Sequence, residues 1–97
     1  MIDKNELLLF VAEVFNTTPI EVLRKRQKKQ AQSRSAAISY MTELGAKYAE
    51  IKILFGYRSN NSIANALRNH RNYLKYKENY KKRYICLVSK IEKTCKK

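Results

Sequence analysis

Residues that make tight turns are scarce in this sequence, which holds two glycines and one proline. That is too few for the connections of a β-barrel or sandwich. Histidine is as scarce as proline: His70 is the only one, and no Cys-x-x-Cys pair accompanies it, so no structural zinc or other cofactor is expected. Cys86 and Cys95 lie nine residues apart in what reads as a helix. That spacing sets them on opposite faces, about 13 Å apart along the axis, where they cannot bridge. No apolar run approaches the roughly 20 residues that span a bilayer, and Met1-Ile2-Asp3-Lys4 does not read as a secretory leader. Acidic residues are few, 8 against 21 Lys and Arg, for a formal net charge of +13. With a hydrophobic fraction of 44%, the composition is that of a globular chain. The expectation is a single soluble, cytoplasmic, all-α domain over residues 1–97 with a large positive excess.

That excess is unevenly spread. Residues 1–23 set Lys4 against Asp3, Glu6, Glu13 and Glu21, a local charge of −3. Residues 24–47 reach +6, residues 48–57 balance at zero, and residues 58–83 reach +7. The lysine-rich end, 84–97, adds +3. Two basic segments flanking a balanced, mostly apolar one suggest a shaped cationic surface on a buried support.

The apolar spacing predicts six helices or five. Leu7, Leu8, Val11, Val14 and Phe15 form one stripe, broken by Asn16-Thr17-Thr18. Thr18-Pro19-Ile20-Glu21 reads as a helix start with Thr18 as N-cap, Pro19 at the first helical position and Glu21 as capping-box partner. This short second helix is expected to bury Ile20 and Leu23. Ser33 is expected to cap a third helix with Ala37, Tyr40, Met41 and Leu44 inside, ending near Gly45. A fourth covers Tyr48 to Phe55, with Ile51, Leu54 and Phe55 inward. After Gly56-Tyr57-Arg58, Ser59 is expected to cap a fifth, which presents Ile63, Leu67, His70 and Leu74 to the core and Asn61, Asn65, Arg68 and Asn72 outward. Tyr84, Leu87, Val88, Ile91 and Cys95 make a last stripe at about 80–95. The sequence leaves open whether it continues the fifth helix or folds back near Lys77-Glu78-Asn79.

Two short helices joined by a glycine turn, the second polar on its outer side, make a helix-turn-helix at about 48–75. In such an arrangement the second helix enters the major groove of duplex DNA with its N-terminal residues against base edges. Ser59, Asn60, Asn61, Ser62 and Asn65 suit base reading, because an asparagine amide can pair with adenine through two hydrogen bonds. Arg58, at the mouth of the turn, can reach a guanine or a phosphate. The run Arg24-Lys25-Arg26-Gln27-Lys28-Lys29 is the other candidate contact, on phosphates or in the minor groove. Lys47 and Arg68 are added as phosphate contacts.

Val11-Ala12-Glu13-Val14-Phe15, Leu23-Arg24-Lys25-Arg26, Glu50-Ile51 and Phe55-Gly56-Tyr57-Arg58-Ser59-Asn60-Asn61-Ser62-Ile63 resemble the C-terminal DNA-binding domain of the bacterial replication initiator DnaA, over roughly residues 5–75. The resemblance implies a Trp-repressor-like helical fold, a basic loop on the minor groove and a helix-turn-helix in the major groove. It also implies a backbone contact by Arg34, which stands where the family has an arginine at the start of the next helix. In the family signature Phe-Gly is followed by Gly-Arg-Asp-His-(Ser/Thr)-Thr-Val. Arg58, Ser62 and Ile63 fit it, while Tyr57, Ser59, Asn60 and Asn61 replace the glycine, aspartate, histidine and following Ser/Thr. Those replacements bear on reading the standard DnaA box, not on groove binding. In the basic loop Gln27 stands for an arginine, with Lys28 and Lys29 nearby. No Gly-x-x-x-x-Gly-Lys-(Ser/Thr) phosphate loop occurs in these residues, so the expected activity is DNA binding without an ATPase module, in replication initiation or the regulation of a mobile element.

The competing expectations are a protein-interaction module and an RNA binder. For the first, Tyr73, Tyr76, Tyr80 and Tyr84 would form an exposed seam for a partner or a second copy. For the second, no aromatic-studded sheet is evident. No enzyme is expected: the carboxylates are scattered, and nothing sets a nucleophile beside a base.

Overall fold

The computed structural model of the chain describes residues 4–23 and 31–95. Six α-helices and no strand occur among them: α1 (Lys4–Val14), α2 (Pro19–Leu23), α3 (Ala31–Glu43), α4 (Tyr48–Phe55), α5 (Asn60–Tyr76) and α6 (Glu78–Cys95). The fold is all-α, as the scarcity of turn residues implies. Among the described residues no helix is long and apolar enough to cross a membrane.

Local chemistry fixes the ends of the early helices. After α1 the chain turns at Asn16, the one non-glycine described with positive φ (56°). There Thr17 N–H bonds back to the Ala12 carbonyl at 2.8 Å, closing the helix as a Schellman end. Asparagine tolerates that left-handed conformation better than other residues with a side chain. Thr18 Oγ1 accepts from Glu21 N–H at 3.3 Å, as an N-cap should. The Glu21 carboxylate accepts from the Thr17 hydroxyl at 2.8 Å, which ties α2 to the preceding turn. Having only five residues, α2 buries Val22 completely and leaves Ile20 68% exposed and Leu23 half-buried. The expectation that Ile20 is buried is therefore corrected.

The middle of the molecule is α3, which packs against each of the other five helices. Ser33, Ser35, Ala36, Ala37, Ile38, Ser39, Tyr40 and Met41 are all buried, so it has no outer face along that stretch. Small side chains allow the close approach that such a central position requires. Ser33 is thus not an N-cap: it lies two residues inside α3 and is 2% exposed. Leu44 follows the helix half-buried, and Gly45 (φ 94°) turns the chain.

Around α3, the core unites Leu7, Leu8 and Val11 of α1 with Ile51 and Phe55 of α4, Ile63 and Ala66 of α5, and Tyr80, Tyr84, Leu87 and Ile91 of α6. The chain does not run straight from α5 into α6. Lys77 is extended (φ −115°, ψ 94°), so α6 starts two residues earlier than expected and folds back to pack on α5, α1 and α3. One exposed ion pair, Lys90 Nζ to Glu13 Oε1 at 2.8 Å, links α6 to α1. The fold-back buries Tyr80 (1% exposed) and Tyr84 (7%), leaves Tyr73 half-buried, and exposes only Tyr76 (73%). The tyrosine seam expected for a partner is therefore not one exposed surface: Tyr80 and Tyr84 belong to the core, and Tyr76 alone of the four is exposed.

Candidate nucleic-acid interface

Between α4 and α5 lie four residues, Gly56 to Ser59. Gly56 has φ 68° and ψ 28°, left-handed values that glycine adopts without strain. Tyr57 N–H returns to the Lys52 carbonyl at 2.9 Å, which ends α4 sharply. Ser59 then takes extended dihedrals, and its Oγ accepts from Asn61 N–H at 3.0 Å. Turn and cap together set the direction in which α5 leaves α4. Ile63 and His70, buried on α3 and α6, fix the rotation of α5 about its axis.

Rotation determines what α5 shows. Asn61, Asn65, Arg68 and Asn72 are all exposed, and at about 100° per residue they fall on one narrow stripe. Ser62 is half-buried on the flank of this stripe. Asn60 is exposed as well, but it lies about 100° from Asn61 and on the opposite flank. The predicted base-reading residues are therefore not one face. Asn61 and Asn65 share it, Ser62 borders it, and Asn60 stands apart. Arg58 is exposed in the turn.

Beside the stripe is a shallow depression of about 120 Å³, lined by Ala31, Arg34, Tyr57, Ser62, Asn65 and Asn69 among others. Half-buried Arg34 comes from the first turn of α3, where the packing of α3 on α5 brings it to Ser62 and Asn65. Tyr57 forms part of the wall: its ring stacks on Phe55 at 5.6 Å and 15°. Burial raises the Tyr57 hydroxyl above its ordinary pKa, and the Arg34 guanidinium opposes that shift. No protein-family model and no curated protein sequence matches the chain.

Of the phosphate candidates, Arg68 continues the α5 stripe and is exposed. Lys47 is exposed at the N-cap of α4, where its side chain makes no capping bond. That position is the far end of α4 from the turn, about 12 Å along the axis. Lys25, Arg26, Gln27, Lys28 and Lys29 lie outside the described residues. The attachment of that segment is described: Ala31, its C-terminal neighbour after residue 30, lines the same depression as Ser62 and Asn65.

Asn69 and Tyr57 were not singled out as site residues. The spacing of Ser62, Asn65 and Asn69 at i, i+3 and i+7 carries the Asn69 signal, because these positions share a helix flank. Nothing in the sequence marks Tyr57 as a wall, since the stacking on Phe55 depends on how the turn closes. His70 sits on the inner side of α5, where burial and the neighbouring Arg71 hold its pKa below the ordinary value.

Proposed function

We propose that this protein binds double-stranded DNA with sequence preference, α4 and α5 acting as a helix-turn-helix whose second helix enters the major groove. One observation carries the reading: Arg34 of α3 and Ser62 and Asn65 of α5 line a single depression beside an exposed Asn61–Asn65–Arg68 stripe. Amide side chains on the stripe suit base edges. Arg58 and Arg34, cations beside the amides, suit the backbone. The net charge of +13 supports a polyanionic partner.

The resemblance to the DnaA C-terminal domain, with its Trp-repressor-like arrangement, fits the order of these elements. In that reading the Arg24–Lys29 segment touches phosphates or the minor groove. Ala31, which follows that segment after residue 30, lines the depression beside Ser62 and Asn65. Ser59 serves as a cap, and its exposed neighbour Asn61 is the one placed on the stripe. The proposed role is that of a groove reader in the cytoplasm, at the nucleoid, in replication control or the upkeep of a mobile element.

Selection of bound sites from a randomised duplex pool at moderate salt tests this. A recovered motif is expected, and Asn61→Ala and Asn65→Ala should blur one or two of its positions. A pool that stays random after selection would sink the reading.

A further inference from the structure

Across the first turn of α3 from the Arg34 depression lies a second, larger one of about 340 Å³, lined by Gln32, Tyr76, Lys77, Glu78, Asn79 and Arg83 among others. Three features set it apart from ordinary basic surface. Tyr76 is 73% exposed although it belongs to a row of tyrosines otherwise drawn into the core. Lys75 Nζ stands 5.5 Å from the centre of its ring, so the ring already meets a cation. The Arg83 guanidinium carbon lies 5.8 Å from the centre of the Phe15 ring.

This combination is the chemistry that single-stranded nucleic acid requires: an open aromatic face for a base, cations spaced along a groove for phosphates, and amides at the edge. Duplex reading by α5 does not use Tyr76. From Asn60 to Tyr76, α5 rises about 24 Å, whereas the major groove is only about 12 Å wide and 8.5 Å deep. A helix inserted by its N-terminal turn therefore carries Tyr76 out of the groove. We propose that the Tyr76 depression binds a single-stranded DNA segment, one base stacked on Tyr76 and the flanking phosphates on Lys77 and Arg83. Gln32 and Asn79 meet the base edge. The Glu78 carboxylate of the same lining repels a phosphate brought close to it. The choice of DNA rests on the duplex-binding reading above; the pocket itself does not.

The experiment compares a fluorescent 15-nucleotide oligo(dT) with a selected duplex on the full chain. Tyr76→Ala should weaken the oligonucleotide by about five- to a hundred-fold, the range of one lost stacking contact. Tyr76→Phe should keep most of the affinity, because the ring is what stacks. Arg83→Gln should weaken it and flatten its salt dependence. Duplex affinity should change less than about twofold in the Tyr76 variants. Because Tyr76 is exposed, helicity by circular dichroism should match wild type, so a loss is not unfolding.

Unchanged oligo(dT) affinity in Tyr76→Ala would overturn the proposal, as would equal losses on oligonucleotide and duplex, which would make them one surface. A clear preference for oligo(rU) over oligo(dT) would overturn the assignment to DNA. If the duplex fails to bind while Tyr76 still governs oligo(dT), the groove reading falls and this site stands.

Discussion

His70 of α5 and Tyr80 of α6, ten residues apart, hold a buried 2.6 Å hydrogen bond between the His70 Nδ1 atom and the Tyr80 hydroxyl. The bond sits in an aromatic cluster: Tyr80 also meets Phe15, Tyr73 and Tyr84, with ring centres 5.0 to 6.3 Å apart. It clasps α6 to the helix that is proposed to read DNA. The one histidine of the sequence thus serves packing, as its place among Ile63, Leu67 and Leu74 suggests.

Tyr80→Phe should destabilise the fold by about 1–2 kcal/mol, since it leaves a buried ring nitrogen without its partner. Tyr84 supplies the control. Its hydroxyl is buried without a hydrogen-bond partner of good geometry, although the Ser39 side chain acts on it. Tyr84→Phe should therefore cost less than Tyr80→Phe in urea denaturation.

Stability should fall in mild acid. His70 has a folded pKa below the ordinary value of 6.5, mainly through burial and secondly through Arg71. The unfolded chain then binds a proton that the folded one refuses, so the contribution is complete above about pH 6.5 and is lost as pH drops below it. Urea midpoints should decline from pH 7.5 to 5.5 in the wild type. A midpoint flat over that interval would contradict the burial of a neutral His70.

The opposite sign holds in alkali. Burial pushes Tyr84 up to about 12 and Tyr80 higher still. Unfolded tyrosines ionise near pH 10, so stability should decline as pH rises through 10 toward 12. Absorbance at the tyrosinate band should show Tyr80 ionising only together with unfolding.

Ser59→Ala should cost about 1 kcal/mol through loss of the bond to Asn61 N–H, while Ser59→Asp should restore the cap. If the Asp variant recovers thermal stability yet loses duplex affinity, the cap and its charge act separately on fold and binding. Arg34→Gln should lower the slope of log affinity against log salt by about 0.9, the value for one phosphate neutralised. It should do so on every duplex sequence alike.

The helices with two unlike sides were legible in the residues themselves. For α5, Ile63, Leu67, His70 and Leu74 alternate with Asn61, Asn65, Arg68 and Asn72 at helical spacing, and each side lies where that period puts it. Ser59 and Gly56 marked their turn because a cap and a left-handed residue are local demands, met within four residues. The start of α3 was not legible. A helix buried all round carries no stripe, so a serine there looks like a cap when it is a small residue admitted for close packing.

Tertiary structure alone determined the rest. Tyr73, Tyr76, Tyr80 and Tyr84 follow one another at helical intervals of three or four residues, but the extended Lys77 splits them between two helices, with Tyr76 exposed and Tyr80 buried. The meeting of Arg34 with Ser62 and Asn65 is likewise a matter of how α3 crosses α5, twenty-eight residues and more along the chain. Period and capping act over one or two turns of backbone, so sequence specifies which side of a helix is apolar. Which neighbour covers that side depends on the joint packing of all six helices, and no single segment encodes it.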